Sequence, residues 1–237
     1  MARAKRHKAG LGAWLLRLLA LLLLLAMLGG GYLWWRGLYW TPDASVYPDQ
    51  GALVDETAPD TNFRTLRALG ASFVYLAASD GGNGKDASFA RHFELAREAH
   101  MQVGVVHRFD PCATADVQSA NFVTMVPRSA DLLPPAIELT RTAEDCPRRT
   151  SEAAVESELL TLINQIEIHT GRPVLLKPSR AFERTYGIAS RIERNLWLTQ
   201  SWAEPDYGGR PWLLWTANTR FNSKASEHQI GWVVVQP

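Results

Sequence analysis

From about residue 42 onward, short apolar runs alternate with longer stretches of helical periodicity, and this alternation limits the folds open to the chain. The candidate strands are PDASV (42–46), SFVYLAA (72–78), QVGVVHR (102–108), PPAIELT (134–140), PVLLK (173–177), LWLTQ (196–200), WLLWT (212–216) and IGWVVV (230–235). The early ones are nearly continuous apolar runs, as strands covered on both faces should be. Between them lie helical patterns with readable starts. Asp60 is placed to cap TNFRTLRAL and Asp86 to cap ASFARHFELAREAH, since a short side-chain oxygen satisfies a free amide there. A third helix is expected over 115–126 and a short one over 179–187. The longest is expected over 151–169, with Thr150 or Ser151 at its start, Gly171 past its end, and Val155, Leu159, Leu162, Ile163 and Ile166 as its buried stripe. The order is five β/α units followed by three strands with little between them. Parallel strands with right-handed crossovers follow from it, and eight strands can close on themselves. The fold class is α/β: a single β/α barrel, whose chemistry belongs at the C-terminal strand ends.

The N-terminus is different in kind. Six basic residues and no acid occur up to position 36, and 18–35 is an unbroken uncharged run, LLALLLLLAMLGGGYLWW. With LGAWLL before Arg17 it is long enough to span a hydrocarbon core of about 30 Å. Residues 1–10 are therefore read as a cytoplasmic basic tail, 11–36 as a transmembrane anchor and 37–237 as the barrel domain on the extracytoplasmic, periplasmic side of the inner membrane. A cleaved signal peptide is the alternative, although no A-x-A-like site is evident. Beyond the anchor the chain keeps 19 of its 25 basic residues against 24 acidic ones, a balance that gives nucleic acid no reason to bind. Cys112 and Cys146 each fall in a loop after a strand; in an oxidising compartment they can pair, and two free thiols remain the other possibility.

The strand ends carry Asp43, Asp80, His107, and Glu138 with Thr140. Carboxylates at a barrel mouth suit glycoside hydrolysis, in which one group protonates the leaving oxygen and another acts as nucleophile, base or stabiliser. GGNGK (81–85) lacks the first glycine and the final Ser/Thr of a phosphate loop, and no G-x-S-x-G elbow occurs. Neither His nor Cys shows ligand spacing, so no metal and no cofactor is expected. Five tryptophans lie between 197 and 232; Trp202, in SWAEPDYGG, is the one placed to offer an exposed ring to a sugar.

These segments resemble the family 25 glycoside hydrolases, lysozymes that cut the muramic acid linkage of peptidoglycan. PDASVYPDQG is similar to the family's GIDVSxxQG opening, FVYLAASDG to FVFIKATEG, and DASFARHFELAREAHMQVGVVHRF to its helix and third strand. LPPAIELT is similar to L-P-P-x-L-D-x-E, and PVLL, LWLT and WTAN to later strands, over about 40–218. The resemblance implies Asp43 and Glu138 as catalytic carboxylates and Asp80, His107, Thr140 and Trp202 as substrate contacts. It also implies that Thr140 stands where the family has its proton donor, and that GWVVVQP lacks a further aspartate. A hydroxyl cannot replace a carboxylic acid as donor. Glu138 is two residues away, and Glu144 and Asp145 lie in the next loop. Two functions follow: a membrane-anchored hydrolase of peptidoglycan glycan strands, or an inactive relative that binds glycan or an envelope protein.

Overall fold

The computed structural model describes residues 11–128 and 131–237, and the chain divides into two units, one up to Tyr39 and one from Trp40. The basic tail over 1–10 lies outside the described residues. In the first unit, helix α1 (Leu11–Gly37) contains a 26-residue apolar stretch with an 18-residue window of mean hydropathy 2.2. At about 1.5 Å per residue it exceeds the thickness of a bilayer core. Its leucines are exposed all round, the pattern of a helix made for an apolar surrounding.

The second unit is a nine-stranded α/β sheet curled into a barrel. Strands β1 (Gln50–Val54), β2 (Ala71–Asp80), β4 (Gln102–Arg108), β5 (Ala136–Leu139) and β6 (Leu175–Pro178) pair in parallel in that order. β7 (Trp197–Thr199) runs parallel to β8 (Leu214–Ser223), and β9 (Ser226–Val235) lies antiparallel between β8 and β1. The two-residue β3 (Gly84–Lys85) pairs with the end of β2. The first strand differs from the sequence reading. PDASV is no strand: Pro42 and the Asp43–Ser45 turn break it, and QGALV carries the ladder.

The helices fall where their caps and stripes place them. Asn62 rather than Asp60 caps α2 (Phe63–Ala68), accepting the Thr65 amide at 3.0 Å. α3 (Phe89–Glu98) starts three residues past Asp86, and α4 spans Ala115–Met125. α5 (Glu152–Thr170) is capped by Ser151 and ended by left-handed Gly171. α6 (Arg180–Tyr186) and α7 (Ile188–Arg191) complete the set.

Strand alternation sorts the apolar residues into two shells. Leu76, Val105, Ile137 and Leu176 face the helices and pack with Leu66, Phe122, Leu159 and Phe182. Phe73, Tyr75, Val106, Ala136, Leu175, Trp197, Leu214 and Val233 fill the barrel interior. The large rings fit because two of their neighbours have no side chain. A Cβ on Gly104 would enter the Tyr75 ring, and one on Gly51 would meet Phe73 at 2.5 Å.

Between β6 and β7 the circle closes through one backbone bridge, Leu176 to Leu196. A side chain does the rest. The Tyr207 hydroxyl accepts the Thr199 amide and donates to the Pro178 carbonyl, each at 2.9 Å, so a phenol stands where ladder bonds would run.

Candidate active site

Four interior-facing strand ends form one row across the mouth. The register pairs Asp80 with Arg108, Arg108 with Glu138, and Glu138 with Lys177, on β2, β4, β5 and β6. The phase comes from the sequence: Val106, Ala136 and Leu175 point into the barrel, so the residues two further on do also. On β2 the register slips between Ala77 and Ser79. That slip pairs Ser79 with His107 behind the sheet and brings Asp80 into the row.

The row alternates in sign. Arg108 donates from Nε to Glu138 and from Nη1 to Asp80, both at 3.0 Å. Lys177 Nζ donates to the other Glu138 oxygen and lies 5.2 Å from the centre of the Trp197 ring. Arg141, beyond the end of β5, reaches back to Asp80 with two bonds of 2.7 Å. The loops above are tied by a disulfide, Cys112 to Cys146. Burial pushes the Glu138 carboxyl up, but Lys177 and Arg108 outweigh it and hold the group below the usual carboxylate range. Glu138 is therefore ionised at neutral pH.

An open cleft of about 230 Å³ runs along this row. It is lined by Asp80, Arg108 and Glu138 at the strand ends, by Asp55 and Glu56 after β1, and by Asp86 after β3. Asp86 behaves oppositely to Glu138. Burial raises its pKa and is the largest effect; the Ser88 amide comes next and lowers it, Glu56 and Asp55 add to the rise, His92 opposes it, and the balance leaves the group above its ordinary value.

The residues singled out from sequence separate into groups. Glu138 and Asp80 meet in the cleft. His107 is fully buried behind it, its Nδ1 2.8 Å from the Ser79 hydroxyl and its Nε2 3.3 Å from Gln118 Oε1. Because that amide oxygen can only accept, Nε2 carries the hydrogen and Nδ1 accepts from Ser79. Burial lowers the His107 pKa to about 4, so the ring is neutral and structural. Asp43 sits in an exposed turn ahead of β1, accepts the Ser45 amide at 2.8 Å and does not line the cleft; Asp55 holds the strand-end place expected for it. Thr140 follows the last residue of β5, is exposed and is not among the residues lining the cleft. Glu144 is exposed in the following loop, and the Asp145 side chain lies outside the described residues. Trp202 is half exposed, with a left-handed backbone (φ 68°) fixed by its amide donating to the Ala217 carbonyl at 3.0 Å. Arg108, Lys177, Arg141, Asp55 and Asp86 were not foreseen as parts of the site. No group of three or more potential metal ligands occurs among the described residues.

A β/α barrel whose strand ends present carboxylates to an open cleft has the architecture of a glycoside hydrolase domain. The chain belongs to the glycosyl hydrolases family 25, whose sequence pattern matches residues 54–223. Solved relatives share the fold. A family 25 glycosyl hydrolase from Bacillus anthracis superposes with a TM-score of 0.75 at 23% identity, over 84% of this chain and 93% of that one. A bacterial lysozyme from Streptomyces coelicolor gives 0.70 at 19% identity, over 80% and 92%. The uncharacterized protein YegX of Escherichia coli K12 is 23% identical over 149 residues, 62% of this chain. The chain spans about half the length of that curated relative.

Proposed function

We propose that this is a membrane-tethered muramidase that hydrolyses peptidoglycan glycan strands on the extracytoplasmic face of the inner membrane. The observation that carries the reading is Glu138: a carboxylate held ionised in an open cleft at the strand ends of a family 25 barrel. A glycosidic carbon becomes cationic as its bond breaks, and a fixed negative charge beside it stabilises that state. Arg108 and Lys177 hold the carboxylate in place and also damp its charge, so its effect is smaller than that of an unpaired group. Asp80 and Arg141 wall the same side of the site, and Trp202 offers a ring face to a sugar further along the chain. Helix α1 supplies the tether.

A second reading is favoured by one specific observation. Thr140 holds the family donor's place in sequence, and its exposed hydroxyl cannot protonate a leaving oxygen. On that reading the domain binds glycan, or an envelope protein, without cleaving anything. The deciding experiment incubates the full chain, in detergent, with purified peptidoglycan and counts new reducing ends while measuring how much protein pellets with the polymer. New reducing ends that disappear in Glu138→Gln support hydrolysis. Pelleting without new reducing ends leaves the binding reading. Neither signal would remove peptidoglycan as the partner.

A further inference from the structure

Hydrolysis in this cleft needs a proton donor, and Thr140 and the ionised Glu138 both fail that requirement. We propose that Asp86, which lines the same cleft as Glu138, protonates the leaving glycosidic oxygen. The assignment rests on the hydrolytic reading above and supplies the residue it lacks.

The geometry begins with β1, which ends at Val54 opposite Leu76. Above that point β3 takes its place beside β2, and the Asp86 amide continues the pairing by donating to the Ala78 carbonyl at 3.1 Å. Asp86 therefore stands on the mouth at the position of the first strand, while Glu138 stands on β5. Three strand spacings of about 4.8 Å separate those positions round the mouth. The two carboxyls thus approach a sugar ring from separate walls and do not share one proton. Asp86 is 8% exposed, enough to line the cleft and little enough to be desolvated. Its Oδ1 accepts the Ser88 amide at 2.8 Å, which fixes the carboxyl plane. Oδ2 has no hydrogen bond among the described residues and is the atom that can carry the proton.

The surroundings of Asp86 come from four elements. Asp55 and Glu56 follow β1, Asp80 ends β2, Lys85 precedes it on β3, and His92 lies on α3. Burial, helped by Glu56 and Asp55, favours the protonated form of Asp86 over the opposing pull of the Ser88 amide and His92, whereas Lys177 and Arg108 force Glu138 to ionise. One cleft with two carboxyls pushed in opposite directions is the pattern that separates an acid from a stabilising anion. In the reaction, the Asp86 proton passes to the glycosidic oxygen as its bond to the anomeric carbon breaks. The bonding pair leaves with that oxygen as an alcohol, and the cationic carbon faces Glu138. Water then adds to the carbon and returns a proton to the Asp86 carboxylate.

The obvious competing role is structural, since Asp86 orders the turn before α3. Asp86→Asn separates the two roles, because an amide oxygen still accepts the Ser88 amide but the side chain has no acidic proton. Two substrates are compared with the full chain: peptidoglycan, and a chitooligosaccharide aryl glycoside whose dinitrophenolate leaves without protonation. Asp86→Asn is expected to lose about 10²–10⁴-fold on peptidoglycan, to pellet with it as the parent does, and to keep most turnover of the aryl glycoside. Undiminished peptidoglycan turnover, or equal loss on both substrates, would overturn the assignment alone. A parent chain that turns over neither substrate would overturn the hydrolytic reading and this assignment together.

Discussion

Replacing Glu138 with Gln should reveal how far the row of charges acts as one unit. The parent carboxylate has a 14% exposed side chain and the Lys177 side chain is 9% exposed, so both ions have left most of their water. Among the described residues, Glu138 is the carboxylate partner of Lys177, and the Trp197 ring also covers its charge. Glutamine keeps the shape but not the charge, and it presents an NH₂ group to one of two cations. Breaking a buried pair from one side costs about 3–5 kcal/mol. With the residual exposure and the surviving ring contact, about 3 kcal/mol is expected here, or a fall in Tm of about 6–12 °C for a domain of this size. Lys177→Met in the same chain should restore at least about 2 kcal/mol, since an apolar side chain needs no counter-ion and Arg108 keeps Asp80. The assay is urea unfolding of parent, both single variants and the double variant, followed by far-ultraviolet circular dichroism and analysed as a double-mutant cycle. If Glu138→Gln unfolds with the parent, or the two changes simply add, the row is a set of independent surface pairs and the reasoning fails.

Three other outcomes follow from particular residues. The unfolded His107 ring takes its proton near pH 6.5 and the buried one near 4, so stability is full above 6.5 and falls as pH drops, by about 3 kcal/mol at pH 4; His107→Gln should flatten that slope in unfolding measured from pH 7 to 4, and an unchanged slope would place the titration elsewhere. Gly104→Ala drives a methyl into the Tyr75 ring and should cost about 1–3 kcal/mol in the same unfolding assay, whereas a neutral result would mean the interior has room to spare. Trp202→Gly relieves a left-handed backbone while freeing the unfolded chain, so stability should change by less than about 0.5 kcal/mol. Pelleting with peptidoglycan should nonetheless weaken, and unaltered pelleting would remove Trp202 from the glycan surface.

Much of the barrel was legible because its signals are local. Hydrophobic period, Ser151 and Gly171 at the ends of α5, and apolar runs at even intervals each need only neighbouring residues. The first strand was misplaced: in PDASV only Val46 favours a strand, and Pro42, Asp43 and Ser45 together favour a turn. The site was half legible. Glu138 and Asp80 were visible as carboxylates at strand ends. That Arg108 and Lys177 would confront Glu138 depends on which residues lie side by side in three strands, and register is a property of the closed sheet. A hint was present: VHR, AIE and LLK each place a charge two positions after an inward apolar residue. Asp86 was read as a helix cap because the sequence gives no sign that β3 carries it over the end of β1.

The seam between β6 and β7 makes the barrel a split ring, fastened by one bridge and the hydroxyl of Tyr207. A ring of this kind bends most easily at its slit. Slow breathing should therefore begin there, with the Thr199 and Leu176 amides exchanging hydrogen earlier than those of β2 or β4. The row of charges stops at the same place, with Lys177 on one lip and Trp197 on the other. A cation resting on an aromatic face can slide without losing a directional bond, so the lips can shift while the charge stays covered. Tyr207→Phe would cut the fastening and leave that sliding contact to hold the slit.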